Sequence, residues 1–157
     1  EVLVQRSRWC GGFEVRFVFD PSMPALLTND ELVRHYAVYF SLGDADGLAR
    51  LFSTVSSLAE PFTTTVTGDP YRHEGREAVR TWYAEAFAGT AWRALRILGT
   101  SPGATEHELT VSLEYMDSRL AAPVTGRNHF TTAAGEIFEQ RVEIDGTPEL
   151  STEFAGP

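Results

Sequence analysis

The sequence predicts one α+β domain in which three helices come first and pack on one face of a mainly antiparallel sheet. Helical spacing of apolar residues recurs in three early stretches, each with its own start or stop signal. Alternating apolar and polar residues then recur in four later stretches, separated by turn dipeptides. The 157 residues, 43% hydrophobic and 11% aromatic, are material for a single core.

The elements follow in order. Thr28-Asn29-Asp30-Glu31 is a capping box: Thr28 accepts from the backbone N–H of Glu31, and Glu31 reaches back to that of Thr28. Leu32, Val33, Tyr36, Tyr39 and Phe40 keep helical spacing behind it, and Gly43 offers a left-handed stop, so a helix is expected to run to about Leu42. Asp44 or Asp46 caps a short second helix carrying Leu48, Leu51 and Phe52. The β-branched stretch Glu60–Val66, ahead of the Gly68-Asp69-Pro70 turn, reads as a strand that Glu60 opens. Val79, Trp82, Tyr83, Ala86 and Phe87 share one face of a third helix over Arg76–Ala88, stopped by Gly89. Strands are then expected over Trp92–Leu98, Glu108–Asp117, Thr125–Thr132 and Glu136–Asp145, with Asp69 and Asp117 as turn residues. Residues 1–27 read as an N-terminal extension, with an alternating run from Phe13 to Phe19 that suggests a strand or a non-native segment. Residues 28–150 read as the domain and 151–157 as a tail.

Charge and composition narrow the partners. The net charge of −9 and pI near 4.8 argue against nucleic acid, which demands a local surplus of positive side chains. All thirteen basic residues are Arg, a bias we attribute to coding composition. One cysteine, Cys10, cannot form an internal disulfide, and no Cys/His spacing suits zinc, so neither a metal nor a cofactor is expected. No apolar run reaches the roughly 20 residues of a membrane span, and the N-terminus lacks a signal-peptide layout, which makes a cytoplasmic location the default expectation.

Particular motifs then suggest a family. His35-Tyr36 precedes Leu42-Gly43-Asp44-Ala45-Asp46-Gly47-Leu48 and Leu51-Phe52; Glu60-Pro61-Phe62 and His73-Glu74-Gly75-Arg76-Glu77-Ala78-Val79 follow, and Gly135-Glu136-Ile137 precedes the last strand. Over about residues 28–145 this order resembles the nuclear-transport-factor-2-like (NTF2-like) superfamily, which includes ketosteroid isomerases, SnoaL-type polyketide cyclases and limonene-epoxide-hydrolase-like enzymes. The resemblance implies a cone with one apolar pocket, a small hydrophobic substrate and a homodimer paired through the outer sheet face. Its markers are scaffold features that enzymes and non-enzymes share.

Ketosteroid isomerases give the best local match. They place a Tyr before the Gly-Asp turn and an Asp before Pro-Phe, and Tyr36 and Glu60 stand at those places. The resemblance implies Glu60 as general base and Tyr36 as hydrogen-bond donor to an enolate oxygen. The second donor of the family is a protonated Asp, for which Asn128 or a neighbour is the nearest equivalent. Proton transfer beside a carbonyl requires a mobile carboxylate and donors held where charge collects on oxygen. Burial beside Phe62 and Trp82 is expected to raise the Glu60 pKa. Strand parity sets Asn128 and Phe130 on one face and Arg127, His129 and Thr131 on the other. If Asn128 faces inward, His129 lies outside; a one-residue slip would instead pair His129 with Glu60 and favour cyclase or hydrolase chemistry. Asp145 has an acidic counterpart in some SnoaL-type cyclases. Phe62, Trp82, Tyr39, Phe87 and Met116 are expected to contact substrate. His73 and Arg76 are expected to organise the turn into the third helix. The leading expectation is an isomerase acting on a steroid- or polyketide-like ketone; a cyclase or epoxide-opening enzyme using Glu60, His129 or Asp145, and a non-catalytic carrier, stand as alternatives.

Overall fold

A computed structural model describes residues 4–9, 12–17, 26–63 and 65–151. Its elements are β1 (Val4–Trp9), β2 (Gly12–Phe17), α1 (Asn29–Leu42), α2 (Ala45–Arg50), β3 (Phe52–Glu60), β4 (Tyr71–Glu74), α3 (Arg76–Ala88), β5 (Arg93–Pro102), β6 (Glu108–Asp117), β7 (Val124–Ala133) and β8 (Glu136–Ile144). β1 and β2 pair with each other, antiparallel. Val18 and Phe19, at the end of the expected N-terminal strand, lie outside the described residues, as does most of the tail.

The remaining strands form one six-stranded sheet in the order β4-β3-β8-β7-β6-β5. Every pairing in it is antiparallel except β3 with β8, which is parallel. Register shifts between Phe52 and Ser57, Ile97 and Gly99, and Thr131 and Thr132 bend the sheet, because an extra residue on one strand raises local twist. With three helices on this curved sheet the architecture is α+β, as the residue pattern predicts.

Both helix starts are built as the sequence predicts. Thr28 and Glu31 complete the capping box, and Gly43 stops α1 at φ 69°. A side chain at Gly43 would also strike the Arg93 guanidinium. The Asp44 side chain accepts from Gly47 N–H and caps α2. Arg76 then ties the start of α3 to the sheet: its Nε donates to the Phe52 carbonyl at 2.6 Å and its Nη2 to Glu136 at 3.2 Å. The helices bury Leu32, Tyr36, Leu48, Val79 and Tyr83 against Phe52, Leu58, Phe130 and Ile137 of the sheet. Among the described residues no helix is long and apolar enough to cross a membrane, and no three His, Cys, Asp or Glu side chains group as a metal site.

One expectation needs correction. The strand before α3 is not Glu60–Val66: it runs from Phe52 and ends at Glu60, and residues 61–63 bend away from it. β3 lies inside the sheet and Ser53, Ser56, Ser57, Leu58 and Ala59 are all buried, so the alternation that betrays a half-exposed strand is missing. β4, four residues on the edge beyond it, was too short to show a pattern. Asp117 does open the turn after β6, its carbonyl accepting from Leu120 N–H and its carboxylate from Arg119 N–H, but it is not a surface residue. It ends β6 and is 1% exposed.

Candidate functional site

A cavity of about 570 Å³ opens between the helices and the concave face of the sheet. That volume suits a small-molecule site. Phe62, Trp82 and Phe87 line it, with Phe40, Leu95 and Leu113. Tyr39 and Met116 are not among its lining residues. Tyr39 packs beside His35, and Met116 alternates to the face opposite Tyr115 and Asp117, both of which do line the cavity.

The deep end of the cavity is polar. Tyr36 from α1 and Tyr83 from α3 meet there, their hydroxyl oxygens 2.9 Å apart. The Tyr83 hydroxyl donates to Gln140 Oε1 at 2.9 Å. Gln140 Nε2 and Asn128 Nδ2 donate to the Tyr36 oxygen at 2.9 and 3.2 Å. With the Tyr83 proton on Gln140, the Tyr36 proton is shared with the Tyr83 oxygen and is the one free to turn to a ligand. The second N–H and the carbonyl oxygen of Asn128 have no protein partner among the described residues. Burial raises the Tyr36 hydroxyl pKa, only partly offset by its hydrogen bonds to Tyr83, Gln140 and Asn128, and burial together with the Tyr36 neighbour raises that of Tyr83 further. Both phenols are therefore neutral donors at physiological pH.

The parity of β7 brings Asn128 to this site. Asn128 and Phe130 are buried on the inner face, whereas His129 points outward, its Nδ1 3.0 Å from Thr110 Oγ1 and its Nε2 3.1 Å from Glu143. The slipped register that would carry His129 to Glu60 is not adopted. Asp145 is also outside the cavity, just beyond β8, where it meets Thr125 and Arg127.

Glu60 is fully buried, and the histidine that reaches it is His73, whose Nε2 lies 3.3 Å from Glu60 Oε1. Glu60 Oε2 accepts the backbone N–H groups of Phe62 at 2.5 Å and Thr63 at 2.9 Å. Burial pushes its carboxyl pKa upward, but hydrogen bonds from Thr63, Phe62 and His73 outweigh that and hold it below the usual carboxylate range. The expected rise therefore does not occur. Glu60 does not line the cavity; Phe62 and Trp82, its neighbours in the fold, do. It nevertheless shares a face with Leu58, which opposes Gln140 of the polar end, so about 7 Å of strand separates it from that register position.

A depressed carboxyl pKa links Glu60 to folding. The group contributes stability that is fully present above its unfolded pKa of about 4.3 and is lost as pH falls through the lower folded value. Urea midpoints of wild type and Glu60→Gln between pH 7 and 3 are expected to diverge at neutral pH and converge in acid; parallel curves would mean that Glu60 is not held ionised by its partners.

Three of the residues that build this site carried no individual signal. Tyr83 looked like core, Gln140 sat in the middle of a strand, and the turn position of Asp117 gave no sign that its carboxylate is buried at the cavity. The spacing of Tyr83 from Tyr36 is invisible until α1 and α3 are packed together.

No protein-family model matches the chain, and no curated protein matches it. Solved structures do. An NTF2-like protein of unknown function from Cytophaga hutchinsonii superposes with a TM-score of 0.60 over 78% of this chain and 95% of its own, at 10% identity. A protein of Catenulispora acidiphila with a ketosteroid-isomerase-like fold, in complex with trimethylamine, gives 0.61 over 74% and 86%, at 17% identity. This chain has the NTF2-like fold. The epoxide hydrolase/cyclase-like enzyme SalBIII, of pyran ring formation in the polyether salinomycin, gives 0.60 over 74% of this chain and 89% of its own, at 20% identity. The NTF2-like cone thus accounts for the cavity between helices and curved sheet, and Tyr36, Tyr83, Asn128 and Gln140 are what this chain places at its base.

Proposed function

We propose that this chain moves a proton on the carbon beside the carbonyl of a hydrophobic polycyclic ketone, of the steroid or polyketide kind, in the manner of a ketosteroid isomerase. The observation that carries the reading is the convergence of Tyr36 and Asn128, 3.2 Å apart, at the buried base of an apolar cavity of about 570 Å³. A substrate carbonyl placed there meets a neutral phenol and an amide N–H. Negative charge that gathers on its oxygen as the C–H bond breaks is stabilised by donors already in place. Glu60, buried behind the cavity wall, is the base in this reading and reaches the substrate only by leaving its own turn. It is ionised without prior deprotonation, and it acts by exchanging its contacts with the Phe62 and Thr63 N–H groups for the substrate proton. Its low pKa makes it a weak base, so most of the catalysis rests on the oxyanion donors.

The capping of Glu60 also favours a second reading, in which the cone binds such a ketone and leaves it unchanged. One experiment separates them. A β,γ-unsaturated ketosteroid is incubated with the protein and the absorbance of the conjugated product followed, while binding of that conjugated product is titrated. Turnover that is lost in Glu60→Gln with binding retained supports the isomerase. Binding without turnover selects the carrier, and absence of binding removes both. His129 and Asp145, which a cyclase would use, bond to Thr110, Glu143, Thr125 and Arg127 on the outer face of the sheet.

A further inference from the structure

The mouth of the cavity holds a second polar cluster, far from Tyr36 and Asn128. Asp117, 1% exposed, lines the wall together with Tyr115 and Arg119. The Tyr115 hydroxyl donates to Asp117 Oδ2, and Arg119 donates to the same oxygen through Nη2 at 2.6 Å and Nε at 3.2 Å. The Arg119 backbone N–H donates to Asp117 Oδ1 at 2.7 Å. Ser151 N–H on the Arg119 carbonyl and Ala121 N–H on that of Glu149 pin this corner to the chain after β8. The guanidinium is therefore held in place, with Asp117 taking two of its five N–H donors and the Tyr115 hydroxyl beside it, which leaves further N–H groups for a ligand. Leu150, beside it on the cavity wall, is 54% exposed, so this end is open to solvent.

We propose that Arg119, fixed by Asp117 and Tyr115, is a binding subsite for a neutral oxygen at the far end of the ligand, a hydroxyl or a ketone. The inference rests on the ketone-binding reading above and deepens it by naming the other end of the molecule. Charge decides the class of oxygen. Asp117 already neutralises Arg119 and the chain carries −9 overall, so a carboxylate there gains no net attraction while a neutral acceptor still gains a charge-assisted hydrogen bond. The Glu143 carboxylate turns to the outer face of the sheet, where Arg141 at 3.0 Å, His129 at 3.1 Å and Arg127 at 3.4 Å engage it, and Arg119 is the cation lining the cavity. Length follows from the register. Asn128 opposes Val111, and the six positions from Val111 to Asp117 span about 20 Å of strand, which side-chain reach from both ends shortens to the length of a fused polycyclic skeleton.

Three steroids test this: each carries the same A-ring enone, and the D ring bears a hydroxyl, no oxygen, or a carboxylate. Dissociation constants are measured for wild type, for Tyr36→Phe, and for the double variant Asp117→Asn/Arg119→Met, which removes the cation without leaving a buried charge behind. Wild type is expected to prefer the hydroxyl ligand over the unsubstituted one by about tenfold or more, with the carboxylate weaker than the hydroxyl. The double variant is expected to lose the hydroxyl preference, and Tyr36→Phe, whose effect falls mainly on the transition state, to keep the ratios among the three ligands. A hydroxyl preference that survives in the double variant, or a carboxylate that binds tighter than the hydroxyl, overturns the subsite alone. If none of the three binds wild type, the ketone reading falls and the subsite with it. Thermal melts of the double variant confirm that it is folded where the ratio is read.

Discussion

Tyr36→Phe is expected to lower kcat about 10²–10³-fold, the usual cost of one lost oxyanion donor, with KM changed much less. The phenol oxygen is the hub of the buried network, accepting from Asn128 and Gln140 and facing Tyr83. Its proton matters most when charge has moved onto the substrate oxygen, so the loss belongs in the transition state rather than in ground-state binding. Phe keeps the ring packed against Phe130 and Phe40, and the core shape survives. The variant leaves two buried N–H donors without an acceptor, which costs about 1–3 kcal/mol of stability. Steady-state kinetics with the unsaturated ketosteroid checks the rate. A variant within threefold of wild type would show that Tyr36 does not meet the reacting oxygen.

Phe52→Ala carries the largest expected stability effect, a loss of about 3–5 kcal/mol against the 5–15 kcal/mol typical of a whole domain. Phe52 is 0% exposed and packs against Tyr83, ring centroids 6.4 Å apart, at the point where the chain leaves α2 and enters β3. Its carbonyl also receives Arg76, so the backbone is held and cannot close over the void. Leu42→Ala, at a side chain 72% exposed, is the control and should stay within about 0.5 kcal/mol. Equal urea midpoints for the two variants would mean that the β3 entrance repacks freely. The Phe52 void also lies behind Tyr83, so Phe52→Ala is expected to weaken ligand binding even at temperatures where it is folded.

The legible parts of the fold were those with local causes. Thr28 and Glu31 cap α1 by bonds within four residues, Gly43 ends it through a backbone angle, and Leu109, Val111 and Leu113 alternate because β6 has one buried face. β3 failed the same test because a strand enclosed between β4 and β8 buries residues on both faces, and its serines mimic a loop. At the site, Tyr36 and Asn128 were named and do meet. The parity that turns Asn128 inward also turns His129 outward, and sequence periodicity left open which of the two it would be.

The sequence by itself determined the helices, four of the strands, the acidic balance and the residue types at the base of the cone, since each depends on neighbours a few positions away. Only the tertiary structure decided that Glu60 is capped by its own turn and by His73, that Tyr83 and Gln140 complete the Tyr36 network, and that Asp117 and Arg119 stand at the mouth. Hydrogen bonds between residues such as Tyr36 and Gln140, 104 positions apart, have no sequence period to announce them; they exist because sheet register and helix packing bring distant strands and helices to one cavity.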